Sequence, residues 1–245
     1  STTRSITANS DLRKIVDDPS RMRQYLGHLH DIISTTYNNG YMSDWSAHFA
    51  SLDPAQNWNG YLGHINSRSA NVLSQVTSTI PKIDFSITGN DTLTFNGSTA
   101  TLAGYGWIDV RKIQIEGGGE LDVSWTGRNT WEARLPIKPG SETFTIEALN
   151  FSGQRVGSKT ITIRNTSSTV PAEKGNLIIS KIHFQPAAPS SSETAVGFSD
   201  ASDFEYVELK NTGTQEINLA NARFTSGINH SLPSHTLAPE EEAIL

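Results

Sequence analysis

Apolar residues recur along the first third of the chain at the spacing of one helix face. Met22, Tyr25, Leu26, Leu29, Ile32, Ile33 and Tyr37 lie three or four apart, after Asp18, a good N-cap, and Pro19, which tolerates the first helical position. One amphipathic helix is predicted there. Ser43 and Asp44 begin a shorter helix carrying Trp45, Phe49 and Leu52. Tyr61, Leu62, Ile65, Val72, Leu73, Val76 and Ile80 mark a third, which Pro81 stops.

From Ile83 the period becomes two. Ile83, Phe85 and Ile87 alternate with polar residues, as do Leu121, Val123 and Trp125, then Trp131, Ala133, Leu135 and Ile137, then Phe144, Ile146 and Ala148. Turn signals at Gly117-Gly118-Gly119, Gly127-Arg128-Asn129, Pro139-Gly140 and Ser152-Gly153 separate these runs. Short strands at such spacing predict an antiparallel sandwich ending near Ile161 to Ile163. A polar Ser/Thr/Pro stretch reads as a linker. Beyond it, Leu177 to Ile182, Tyr206 to Leu209, Ile217 to Leu219 and Phe224 are expected strands of a second β unit. The expected organisation is a helical segment at 1–81, a sandwich at 82–164, a linker at 165–176 and a second β unit at 177–245.

Composition narrows the class. The chain has 245 residues, 36% hydrophobic and 18% charged, enough apolar content to build cores and too little charge for a disordered tail. A formal net charge of -6 argues against a phosphate-backbone binder, so no nucleic-acid partner is expected. Without cysteine there is no disulfide framework, thiolate metal site or cysteine nucleophile. No apolar run is long enough for a membrane span. The chain starts Ser1-Thr2-Thr3 and stops at Ala243-Ile244-Leu245, which reads as an internal fragment with its last sandwich cut short.

Three segments carry resemblances. Ile179-Ser180-Lys181-Ile182, Glu205-Tyr206-Val207-Glu208-Leu209-Lys210-Asn211 and Ile217-Asn218-Leu219, with Leu237-Ala238-Pro239-Glu240 later, resemble bacterial lamin-tail domains. Lys181 departs from that pattern, standing where the family usually has an acidic residue. The middle segment, with Trp107, Trp125, Thr130-Trp131, Leu135-Pro136, Pro139-Gly140 and Val156-Gly157-Ser158, is similar to the immunoglobulin-like insert that often precedes such tails. Arg23-Gln24-Tyr25-Leu26-Gly27-His28-Leu29 and Ile65-Asn66-Ser67-Arg68 resemble the C-terminal helices of CotH-type kinase-like domains. The resemblance implies an α+β multi-domain chain: a helical segment, then two antiparallel immunoglobulin-like sandwiches, the last truncated. It further implies a non-catalytic accessory part of a secreted or cell-surface bacterial protein, serving adhesion, anchoring or positioning. The alternatives are an accessory region of a secreted CotH-type kinase whose catalytic core lies outside this chain, and a carbohydrate-binding module.

Candidate chemistry is sparse. His28 and His30 lie two apart and face different sides of a helix, unlike an i, i+4 zinc pair, and with His48 and His64 they read as capping, packing or surface residues. Asp200, Asp203 and Glu205, with Glu208 nearby, are weak calcium candidates whose ordinary reading is solvated charge. Trp45, Trp58, Trp107, Trp125 and Trp131 could stack on sugars if exposed. Trp131, in register with Ala133 and Leu135, reads as core, whereas Trp107 and Tyr105, set among glycines, are the expected ligand contacts. Neither a Gly-x-Ser-x-Gly elbow nor a phosphate-binding Gly-Lys loop occurs. No catalytic residue and no cofactor are expected; the partner expected is protein or polysaccharide at a cell surface.

Overall fold

A computed structural model describes residues 2–220, 222–227 and 229–245. Helices come first: α1 (Ser10–Val16), α2 (Pro19–Thr35), α3 (Asn39–Leu52) and α4 (Trp58–Thr79). Strands follow: β1 (Ser86–Ile87), β2 (Thr92–Phe95), β3 (Thr99–Tyr105), β4 (Lys112–Ile115), β5 (Val123–Trp125), β6 (Thr130–Pro136), β7 (Gly140–Leu149) and β8 (Arg155–Asn165). The chain is a helical N-terminal segment followed by antiparallel-rich β-sheets. It divides into two compact units.

The first unit comprises Ser1–Asp91, Thr101–Arg134 and Thr143–Ile161. Each helix starts on a side-chain cap that satisfies an orphan backbone donor. Asn9 accepts from Asp11 and Leu12, Asp18 from Arg21, Asn38 from Tyr41 and Asn57 from Gly60. The cap at Asn38 explains why α3 begins at Asn39, four residues before the expected Ser43. Leu26, Val72, Val76 and Ile80 form a core with Ile6, Trp107 and Ile108, flanked by Met22, Tyr25, Leu29 and Ile33. Burying a side chain such as Leu26 stabilises the fold by roughly 1.5–3 kcal/mol.

In the same unit, β1, β3, β6 and β5 lie side by side in that order. β5 and β6 form a hairpin with Val123 opposite Ala133 and Trp125 opposite Trp131, closed by the Thr126 amide donating to the Thr130 carbonyl. β4 pairs antiparallel with β7, Ile113 facing Ala148. Leu102, Ile113, Trp131, Ile146 and Ile161 are buried, so the inward positions follow the period of two. Gly104 is required by close approach: a methyl there would overlap the Ser86 carbonyl and lie 2.7 Å from the Trp131 ring.

The second unit comprises Thr92–Ala100, Leu135–Glu142 and Thr162–Leu245. Here β2 runs parallel to the end of β8, Thr92 to Phe95 facing Thr162 to Asn165. Beyond them come β9 (Val170–Pro171), β10 (Leu177–His183), α5 (Ser191–Ala195), β11 (Tyr206–Asn211), β12 (Ile217–Asn218), β13 (Arg223–Phe224), β14 (His230–Ser231), β15 (Thr236–Leu237) and β16 (Glu242–Ile244). One sheet has the order β10-β11-β16, another β15-β12-β9, and β13 pairs with β14. The stretch read as a linker thus supplies β9, because Val170 is apolar enough to join the core of Leu209, Ile217, Leu219, Leu232 and Leu237. Asn211 is fully buried: its side-chain amide donates to the Gln215 and Leu237 carbonyls and its oxygen accepts from the Gly213 amide. Lys181 lies opposite Glu208 in the β10/β11 register, with its ammonium 5.2 Å from the Tyr206 ring centroid, while the Glu208 carboxylate accepts from the Ser180 hydroxyl.

Candidate functional site

The solvent side of β3, β6 and β5 is built by alternation. With Leu102 and Gly104 inward on β3, Thr101 and Tyr105 point out; with Trp131, Ala133 and Leu135 inward on β6, Glu132 and Arg134 point out. Ser124 points the same way from β5. A groove of about 380 Å3 lies here, lined by Thr101, Asp122, Ser124, Glu132 and Arg134. Hydroxyls, carboxylates and a guanidinium therefore share a surface stiffened by the packed face beneath it. That supplies donors and acceptors of both signs, the means of holding a polar ligand.

Tyr105 is 41% exposed on this sheet face. Trp107 is only 4% exposed, so the expected solvent exposure of Trp107 is corrected. Its indole N–H donates to the Ile80 carbonyl at 2.9 Å, and His30 packs edge-on against the ring with centroids 4.8 Å apart. Trp107 closes the end of α4 instead of presenting itself to a ligand.

Arg23 is the residue that composition and spacing did not single out. It is 4% exposed. Its two terminal nitrogens donate to four carbonyls: Gly106 and Arg128 at 2.9 Å each, Trp107 at 2.5 Å and Val110 at 3.0 Å. The guanidinium lies 3.2 Å from the Trp125 ring centroid. Burial pulls its pKa down to about 9, opposed by the charge of Asp109, and it remains a cation at neutral pH. Helix α2 approaches this loop closely because Gly27 lacks a side chain: an added Cβ would sit 3.0 Å from the Ile108 carbonyl.

The weak calcium candidates serve local caps. Asp200 accepts from the Ser202 amide, and Asp203 accepts from the amides of Ser199 and Asp200, around the short 3-10 helix Ala201–Phe204. Hydrogen bonds from Ser202 hold the Asp200 carboxyl below the usual range. Glu205 accepts from the Gln185 amide at 3.4 Å. Among the described residues no group of three or more His, Asp or Glu side chains converges as metal ligands would. His28 packs on Phe151, His48 lies beside Trp45 and Phe49, and His64 is exposed.

No family model matches the chain, and no curated protein sequence does. Among solved structures, similarity is found to fibronectin(III)-like modules of Clostridium thermocellum CbhA, with 9% identity and a TM-score of 0.26, over 34% of this chain and 96% of that one. The sialic acid binding region of a Streptococcus sanguinis SK1 adhesin is 14% identical with a TM-score of 0.26, over 67% of this chain and 47% of that one. SGBP-B of a Bacteroides ovatus mixed-linkage glucan utilization locus is 16% identical with a TM-score of 0.24, over 62% of this chain and 33% of that one. The chain thus spans less than half the length of the latter two. At these TM-scores the likeness carries no function across. Among the described residues, no helix is long and apolar enough to cross a membrane.

Proposed function

We propose that this chain is a non-catalytic accessory region of a secreted or cell-surface bacterial protein, and that it works in adhesion, anchoring or positioning. The observation that carries this reading is the polar groove on the outer side of β3, β6 and β5. Glu132 and Arg134 alternate along one strand of a sheet whose other side is core, which makes a rigid recognition surface. The buried polar groups favour the same reading, because Arg23 and Asn211 are spent on backbone carbonyls. The partner in this reading is protein or polysaccharide at the cell surface.

The finer assignment is part of the proposal. Residues 177–245 are read as a lamin-tail-type module, 82–164 as the immunoglobulin-like insert, joined by 165–176, and 1–81 as the C-terminal helices of a CotH-type domain. Strands at Leu177–His183, Tyr206–Asn211 and Ile217–Asn218 support the first, and Asn211 gives the last residue of its Glu-Leu-Lys-Asn run a packing reason. The test is phosphotransfer: the full chain with labelled ATP and Mg2+ or Mn2+ is expected to incorporate no label. Autophosphorylation above background would overturn the reading.

A further inference from the structure

Helices α3 and α4 carry a row of aromatic rings that the core does not use. Trp45 is 47%, Phe49 43% and Tyr61 50% exposed, with Trp58 half-buried between them. Three of the planes run nearly together: Trp45 and Phe49 lie 6.1 Å apart at 25°, and Phe49 and Trp58 lie 5.9 Å apart at 20°, while Tyr61 stands edge-on to Trp58 at 79° and borders the strip. Separations near 6 Å at such small angles describe rings offset along a strip, not a closed stack. Two hydrogen bonds hold the strip in place. The Trp58 indole donates to the Asp53 carbonyl at 2.8 Å and the Tyr61 hydroxyl donates to Gln56 at 3.2 Å. A surface fixed before binding loses little rotamer freedom on binding.

Charge selects the occupant. Between Arg23 and Arg68 there is no Lys or Arg, while Asp31, Asp44 and Asp53 are acidic. Polyanions and anionic lipid surfaces require clustered cations, so neither complements this face. Beside the rings lie Gln56, which accepts from the Tyr61 hydroxyl, the Asp53 carbonyl, which accepts from the Trp58 indole, and His48, edge-on to Trp45 and Phe49. A flat apolar area with hydrogen-bonding groups and no Lys or Arg at its border matches a pyranose ring, which has an apolar C–H face and a rim of hydroxyls.

We propose that the aromatic strip of Trp45, Phe49, Trp58 and Tyr61 is a binding platform for an uncharged hexopyranose glycan. The inference rests on the accessory reading above and gives it a ligand class at a place separate from the β3/β6/β5 groove. The test follows tryptophan emission of the full chain during titration with cellohexaose, mannohexaose and chitohexaose, each up to about 10 mM. At least one is expected to give a saturable change, with affinity falling about tenfold or more in Trp45→Ala/Phe49→Ala while far-UV circular dichroism is unchanged. Absence of a saturable change with all three sugars would overturn the proposal. So would a response that survives in the double variant, or one elicited by heparin or anionic vesicles and not by neutral sugars. If the strip binds only a protein partner, the sugar arms stay silent and the proposal fails while the accessory reading stands; phosphotransfer activity would sink that reading by itself.

Discussion

The guanidinium of Arg23 sits over the ring of Trp125 at 3.2 Å from its centroid while its nitrogens tie down four loop carbonyls. One helix side chain thereby organises a turn more than 80 residues away in sequence. Removing it leaves buried acceptors without donors, and that costs more than the bonds contribute when present. Arg23→Met is expected to destabilise the fold by about 3 kcal/mol or more, measured by urea unfolding. Arg23→Lys is expected to recover less than half, because a compact ammonium cannot reproduce a planar fork.

Gly104 gives a steric prediction. Gly104→Ala is expected to cost about 3 kcal/mol, since the methyl must displace both the Ser86 carbonyl and the Trp131 ring. At Gly119 an added Cβ meets nothing within 4 Å, so Gly119→Ala serves as the control and is expected to be near neutral in the same thermal melts.

Acid sensitivity is expected at His30. Burial lowers its pKa, partly offset by Asp109 and Asp31 and reinforced by Lys82. The folded state therefore binds a proton less readily than the unfolded chain, whose imidazole titrates at about 6.5. Stability is full above that value and falls as pH drops below it toward the folded pKa. His30→Phe keeps a ring against Trp107 and is expected to flatten the decline in Tm between about pH 7 and pH 5. An unchanged slope would show that His30 does not titrate on unfolding.

Asn211 makes a parallel case in the C-terminal unit. Asn211→Asp keeps the shape but loses both donors to Gln215 and Leu237, and adds a buried charge. A loss of about 2–4 kcal/mol is expected by chemical denaturation.

Much of the architecture was legible where periodicity was strong. Helix α2 begins at the predicted Asp18 cap, and β6 holds Trp131, Ala133 and Leu135 inward as expected. β3 is not legible in the sequence because its inward residues are Ala100, Leu102 and Gly104, and two of the three are too small to register as apolar alternation. β2 and β9 are four and two residues long, shorter than a pattern needs.

The site was less legible for a different reason. Glycines around Trp107 suggested an open loop, yet its burial is decided by the Ile80 carbonyl and His30, partners distant in sequence. Thr101, Ser124, Glu132 and Arg134 were invisible individually, since polar residues on strands are ordinary. Only sheet order brings them together.

Under the proposed accessory role, this chain is expected to bind cell-surface material without performing chemistry on it. The most direct measurement is co-sedimentation of the full chain with bacterial peptidoglycan sacculi that retain their attached polysaccharide and protein. Saturable pelleting is expected, reduced about tenfold in Tyr105→Ala/Glu132→Ala/Arg134→Ala with folding intact. A chain that stays in the supernatant at every sacculus concentration would contradict it.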